Sequence, residues 1–405
     1  MGKKLYSNFS KANQLLEGNV SVYLDFIRGI SAILVVMEHL SSRLFVGYGN
    51  VQNPDIFTKV LYLLNMLGGP AVIIFFVLSG LFISRSVLKA IFGNRWTWRS
   101  YLTNRFSRLF VVLIPALLLT LILDSIAVKF FEYQMYEQAS ANLMAFLGNL
   151  LFLQNIFVGV YGSNAPLWSL NYEFWYYMLF PLLLLLFFRK GKASTFIYLG
   201  ITLLIVSAIG TRMNLYFLIW LIGTSVLLLP KLNIFKRGVV PIIALLLLFI
   251  AIPVRPLVMT GRLFTNGWTE DLFFVDFFVA ITFGFFIYAL LHYTSIRFKK
   301  RELRRFGRFS RLIAGFSFSL YLIHYPIINA VYRWVESNGY KGLEPGIVSI
   351  GVELVLVVLI CIIAYCFSRF TEAKTPIIRN LIDSRISSFV TVRNKKVLKK
   401  QKVAG

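Results

Sequence analysis

The chain has 405 residues, 58% of them hydrophobic and 16% aromatic, with a mean hydropathy of +0.73, which excludes a soluble domain of ordinary makeup. The formal net charge of +25 does not imply a nucleic-acid partner, because the cations are divided among loops between apolar spans instead of forming one solvated patch. The two cysteines, Cys361 and Cys366, lie five apart in one apolar segment and exclude a disulfide scaffold and a zinc site.

The first 20 residues are polar and no small-residue cleavage pattern follows the first apolar run, so no cleavable signal peptide is expected. Apolar spans are predicted at 24–42, 60–84, 107–128, 166–188, 194–210, 213–230, 238–254, 272–293, 311–334 and 346–370, making an all-α polytopic membrane bundle of about ten helices. A further apolar stretch, 142–160, is interrupted by Gly148, Asn149, Gln154 and Asn155 and is predicted to be interfacial or re-entrant on the outer side. With the N-terminus inside, 33 of the 42 Lys and Arg fall in cytoplasmic segments, which puts both termini in the cytoplasm of a multi-pass protein. Three parts follow: a cytoplasmic segment 1–23, a transmembrane domain 24–370 and a basic tail 371–405 resting on anionic membrane lipids. No period of 20 to 50 residues recurs and no matching halves are visible, which disfavours a solenoid and an inverted-repeat transporter.

The first span, YLDFIRGISAILVVMEHL, carries Arg28 and His39. These are eleven positions apart, about 16 Å along a helix and within about 20° of a whole number of turns, so they share a face. Ionisable residues at membrane depth are costly unless they face an interior or a wet cavity, and a functional pair outweighs a snorkelling arginine with a bonded histidine. In the second span, Gly68, Gly69, Pro70, Ser79 and Gly80 read best as small residues at a helix contact. At the entrance of the third, Arg95, Arg99, Arg105 and Arg108 mix with Trp96, Trp98 and Tyr101. Arg105 and Arg108 are one turn apart and could clamp a phosphorylated molecule; an aromatic belt with ordinary positive-inside arginines fits equally.

SNAPLWSLNYEFWYYMLFPLL brings Glu173 into the outer third of a span behind Trp168 and Ser169, where it needs an arginine or a substrate hydroxyl as partner. GFSFSLYLIHYPIINAVYRWVES places His324 before Pro326 with Ser317, Ser319 and Tyr321 nearby; for His324 a structural hydrogen bond is the better reading. His292 carries no functional expectation. The three histidines are scattered, so no metal is expected, and there is no Walker motif, dinucleotide glycine motif or Gly-x-Ser-x-Gly elbow.

Five segments in order, LDFIRGISAILVVMEH, FFVLSGLFISR, RFSR, PLWSLNYEFWYYMLFP and FSLYLIHYPI, resemble the acyltransferase family 3 integral membrane proteins, which O-acylate glycans and other molecules. The resemblance implies ten core helices in the bacterial inner membrane, a cytosolic acyl-CoA donor such as acetyl-CoA and an outer hydroxyl acceptor such as a polysaccharide or lipopolysaccharide O-antigen. Carried over, the family's first-helix pair matches Arg28 and His39, its Arg-x-x-Arg matches Arg105 and Arg108, and its acid matches Glu173. Asn171 and Tyr172 depart from the usual Ser and Val, and Glu38 is unusual before His39.

On this reading His39 is the general base, Arg105 and Arg108 with Arg99 hold coenzyme A, and Arg28 lines the pantetheine path. Glu173 and Asp25 orient these cations, and Trp168, Ser169, Tyr321 and His324 meet the acceptor. Some relatives append a periplasmic esterase-like domain; only a Lys- and Arg-rich stretch of about 35 residues follows the bundle, so none is expected. Direct transfer and an acyl-enzyme both stay open, as does the oligomeric state. Outer segments Gln134 to Ser140, Tyr161 to Ser169 and Arg262 to Glu270 would suit sugar hydroxyls and faces. The competing class is a transporter or flippase for a lipid-linked glycan or small anion; a membrane-bound O-acyltransferase of the other large family fits poorly, since its histidine lies late in the chain.

Overall fold

The computed structural model describes residues 2–131, 141–188, 191–232, 238–259, 272–293 and 300–386, and these contain helices and no strand. They form the polytopic helical membrane bundle that the composition requires. One helix was not expected: α1 (Gly2–Leu16) buries Phe9, Ala12 and Leu16, spaced i, i+3 and i+7. That stripe packs on the end of α4 (Gly68–Phe92), with Phe9 and Phe92 ring centroids 5.4 Å apart. We call the side of the bundle that α1 covers the α1 face.

From there α2 (Val20–Leu44) crosses to the far face. The short α3 (Ile56–Asn65) then starts on Asp55, whose carboxylate accepts from Thr58 N at 2.7 Å, and leads into the returning α4. α5 (Trp98–Phe130) crosses again and α7 (Leu167–Phe188) comes back. Between them α6 (Leu143–Leu150) has eight residues, about 12 Å, too short to cross. The chain beyond α6 turns inward: Phe152 is buried and stacks on Phe174 at 4.1 Å. The polar residues that interrupt this stretch satisfy its backbone, with Asn149 Nδ2 donating to Gly159 O at 2.9 Å and Gln154 Nε2 to Leu167 O at 2.9 Å. Residues 142–160 thus form one short helix and a hydrogen-bonded loop, with no helix long enough to cross.

α8 (Lys192–Leu228) covers two predicted spans. It breaks at Gly210, whose φ of +75° is a conformation that a Cβ would strain. Both of its ends lie on the α1 face: the Tyr198 hydroxyl meets Trp98 Nε1 at 3.3 Å, and Leu228 O accepts from Asn8 of α1 at 2.9 Å. The chain therefore reverses at Gly210 and crosses twice. α9 (Val239–Ala251) and α10 (Val254–Met259) make the next crossing and α11 (Phe273–Tyr293) the return.

α12 (Lys300–Gly315) meets α13 (Ser317–Ser337) at a bend of 49° around Phe316, so the span predicted at 311–334 is broken near its start. α14 (Ile347–Phe370) closes the bundle. Among the described residues eight helical stretches are long and apolar enough to cross and the bent pair adds a ninth. The reversal in α8 makes ten crossings. The first residues assigned to the tail fold back on the bundle: the Glu372 carboxylate accepts from Ser319 N at 3.2 Å and Oγ at 3.0 Å, and Arg379 donates to Asn104 at 3.2 Å.

Two close features position the interior. α4 and the second half of α8 cross backbone to backbone: a Cβ on Gly80 would lie 1.9 Å from Trp220 O, and one on Gly223 2.0 Å from Val77 O. Two prolines each strip a carbonyl one turn back of its helical donor, and a side chain from elsewhere replaces it. Pro326 frees Leu322 O, which accepts from Asn164 Nδ2 at 2.9 Å; Pro181 frees Tyr177 O, which accepts from the Tyr101 hydroxyl at 2.8 Å. Large exposed apolar side chains on α9 and α14, among them Ile242, Phe249, Val355 and Leu359, form the lipid-facing surface.

Candidate functional site

Five helices converge on one cavity of about 320 Å³. α2 contributes Arg28; α5 contributes Arg105 and Arg108, one turn apart; α4 contributes Ser79. α7 presents Ser169, Glu173 and Tyr177 at intervals of four, which is one helical stripe, and α13 presents Ser317 and Tyr321 in the same way. Arg28, Arg105, Arg108, Ser169, Glu173 and Tyr321, singled out separately in the sequence, thus share one wall. The volume lies at the small end of the range for ligand sites.

Two of these cations are only partly hydrogen-bonded. Arg28 donates to Ala314 O at 3.3 Å and pairs with Asp25 at 3.3 Å, yet its Nε is buried without a hydrogen-bond partner, as is Arg105 Nε. Arg105 lies over the Tyr101 and Tyr177 rings at 5.7 and 6.0 Å. The Glu173 carboxylate does not ion-pair with any of the three within 4.0 Å; it accepts from Ser79 Oγ at 2.9 Å and from the Tyr177 hydroxyl. Glu372 is within electrostatic reach of Arg28 and Arg108 but is bonded to Ser319. Three guanidinium groups on one small cavity make it positively charged and suited to an anion.

At its far end the cavity closes on a hydrogen bond of 2.6 Å between Ser169 Oγ and the Tyr321 hydroxyl. One turn further along α13 is His324, fully buried, whose Nε2 lies 2.9 Å from His39 Nδ1. The two rings are nearly parallel, 13° apart with centroids at 5.2 Å, and Tyr325 meets His39 edge-on at 4.8 Å. His39 does not line the cavity; it stands one turn beyond the Tyr321 end.

Other expected residues lie apart. Trp168 packs edge-on against Phe76 at 6.2 Å and Tyr172 at 5.2 Å, outside the cavity lining. Arg99 donates to Asp383 O at 3.1 Å on the exposed α1 face and lines neither this cavity nor a smaller one of about 70 Å³. That smaller pocket, formed by Arg95, Trp96 and Asn104 among others, shares Arg105 with the main cavity, so Arg105 stands between the α1 face and the interior. Glu38 turns away from His39 to accept from Gly69 N at 2.9 Å, at the start of α4. Segments 134–140 and 262–270 lie outside the described residues.

Three contributors were not singled out as site residues. Ser79 reads as a helix-contact residue by its small size, but its hydroxyl also accepts from Trp220 Nε1 at 3.2 Å and so ties Glu173 to α8. Tyr177 was detectable as the residue four after Glu173 on the same stripe. Glu372 had no local signal. No group of three potential metal ligands occurs among the described residues.

Residues 21–368 match a family described as an acyltransferase domain. An uncharacterized protein of Haemophilus influenzae is 27% identical over 136 residues, covering 33% of this chain and 55% of that protein, so the chain spans about half the length of the curated relative it matches. No solved structure matches the chain.

Proposed function

Since the chain belongs to acyltransferase family 3, we propose that it is an integral membrane O-acyltransferase which moves an acetyl group from cytosolic acetyl-CoA to a hydroxyl of an extracytoplasmic glycan. The observation that carries this reading is the cavity lined by three guanidinium groups, Arg28, Arg105 and Arg108, which ends one helical turn from His39. Bidentate guanidinium forks suit the phosphates of a nucleotide donor. The distribution of Lys and Arg supports a cytosolic α1 face, which lets Arg105 meet the donor first.

In this mechanism His39 removes the proton of the acceptor hydroxyl as its oxygen attacks the thioester carbonyl carbon. The C–S bond then breaks, and the departing thiolate takes the proton back from the imidazolium. Arg28 and the Ser169 and Tyr321 hydroxyls line the route of the thioester arm. A polysaccharide or lipopolysaccharide O-antigen in the bacterial inner membrane's outer compartment is the acceptor class that this arrangement serves.

The test uses membranes with radiolabelled acetyl-CoA, together with NMR of surface glycans from cells with and without the protein. We expect label in a glycan ester and loss of a sugar O-acetyl signal on deletion. His39→Ala and His39→Gln, at equal expression, should lower transfer by about 10² or more. Full transfer in both variants would overturn the base assignment. An unchanged glycan and no consumption of donor would leave the transport class instead.

A further inference from the structure

The paired imidazoles allow a proton to be placed. His324 Nδ1 lies 3.0 Å from the carbonyl oxygen of Leu320, one turn back on α13. A carbonyl only accepts, so Nδ1 carries hydrogen. A second proton on this ring would bury a cation with no anion beside it, since neither imidazole is ion-paired with a carboxylate among the described residues. The nearest charged neighbours do not change this: Glu38 is committed to Gly69 N, and Arg43, a cation, lies over the Tyr332 ring at 5.1 Å. His324 Nε2 therefore holds a lone pair, and it faces His39 Nδ1 at 2.9 Å. His39 must supply the hydrogen, so its own proton sits on Nδ1 and its Nε2 is bare.

We propose that His324 is a positioning residue that locks His39 in the Nδ1–H tautomer, leaving Nε2 as the atom that accepts the acceptor's proton. The inference rests on His39 being the base. Geometry supports the lock independently of the reaction. The His324 ring is held by Leu320 O and by a stretch of α13 whose freed Leu322 carbonyl is tied down by Asn164. Among the described residues His39 Nε2 has no hydrogen-bond partner, so nothing competes for its lone pair. After proton transfer His39 holds two hydrogens and still donates through Nδ1 to His324, so the contact persists through the cycle.

The chain has three histidines, His39, His292 and His324, which makes ¹⁵N NMR of histidine-labelled protein in lipid nanodiscs assignable by single substitutions. The wild-type protein should show His39 and His324 both neutral and protonated on Nδ1. In His324→Leu the Nδ1–H signature of His39 should be lost and kcat should fall by about 10², with the acceptor KM changed by less than about threefold. His324→Gln, whose amide oxygen can accept the same bond, should recover much of both. A wild-type His39 protonated on Nε2, or a His324→Leu protein with unchanged tautomer and kcat, overturns the proposal. The wild-type spectrum decides without any variant having to fold. If His39→Ala stays active, the base assignment fails whatever the tautomer; if it is inactive while His39 carries its proton on Nε2, only the role of His324 fails.

Discussion

Replacing Arg108 by alanine separates donor binding from stability. No hydrogen bond ties this guanidinium to the described residues, and it opens into the cavity. The fold should therefore lose within about 0.5 kcal/mol, as for a surface change. A charge-assisted bond to a donor phosphate is worth about 1.5–3 kcal/mol, which at about 1.4 kcal/mol per decade is a loss of roughly 10- to 150-fold in affinity. Arg108→Lys keeps the charge but not the fork and should recover part of the loss. Calorimetric titration of coenzyme A into the purified protein in nanodiscs measures this, with thermal unfolding as the control. Pantetheine, which lacks the phosphates, should bind the two variants and the wild type alike. An Arg108→Ala protein that unfolds normally but binds coenzyme A within about threefold of wild type would refute the phosphate role, as would an equal loss for pantetheine.

Glu173→Gln removes the cavity's carboxylate while keeping its shape, so an anionic donor should bind more tightly even as turnover falls; weaker donor binding would mean that Glu173 supports the donor and not the reaction. Gly223→Ala puts a Cβ 2.0 Å from Val77 O and should destabilise the protein by about 1–3 kcal/mol, visible as a lower unfolding temperature in detergent, and Gly80→Ala should behave alike. Asn164→Leu strands the Leu322 carbonyl and should cost about 1–3 kcal/mol, while Asn164→Asp, unable to donate there, should cost at least as much in the same assay.

Hydropathy and charge were enough to locate the crossings because each is a local property. They separated two spans near residue 210, where Gly210 breaks the helix and the polar Arg212 and Asn214 follow the reversal. The break in the apolar stretch 142–160 was legible from Asn149 and Gln154, whose side chains serve loop backbone. α1 was missed because its mean polarity masks the stripe of Phe9, Ala12 and Leu16, and the bend at Phe316 because apolar sequence continues through it.

At the site, helical periodicity placed Arg28 with His39 and Arg105 with Arg108 on their faces. It cannot say which faces meet. The contact of His39 with His324, 285 positions apart, and the fold-back of Glu372 onto Ser319 depend on how helices pack, which no spacing along one helix encodes.

The carbonyls exposed by Pro181 and Pro326 have a mechanical consequence. Parallel helices in lipid have little apolar gain to stop them sliding by a turn, because a hydrocarbon tail is as good a neighbour as a leucine. Each proline makes a notch at one fixed height, and each notch receives a single peg: Tyr101 of α5 in α7, and Asn164, just ahead of α7, in α13. Axial slip of either pair would empty a notch inside the membrane, so the heights of Glu173, Tyr321 and His324 relative to one another are indexed by two rings that carry no polar atom of their own side chains.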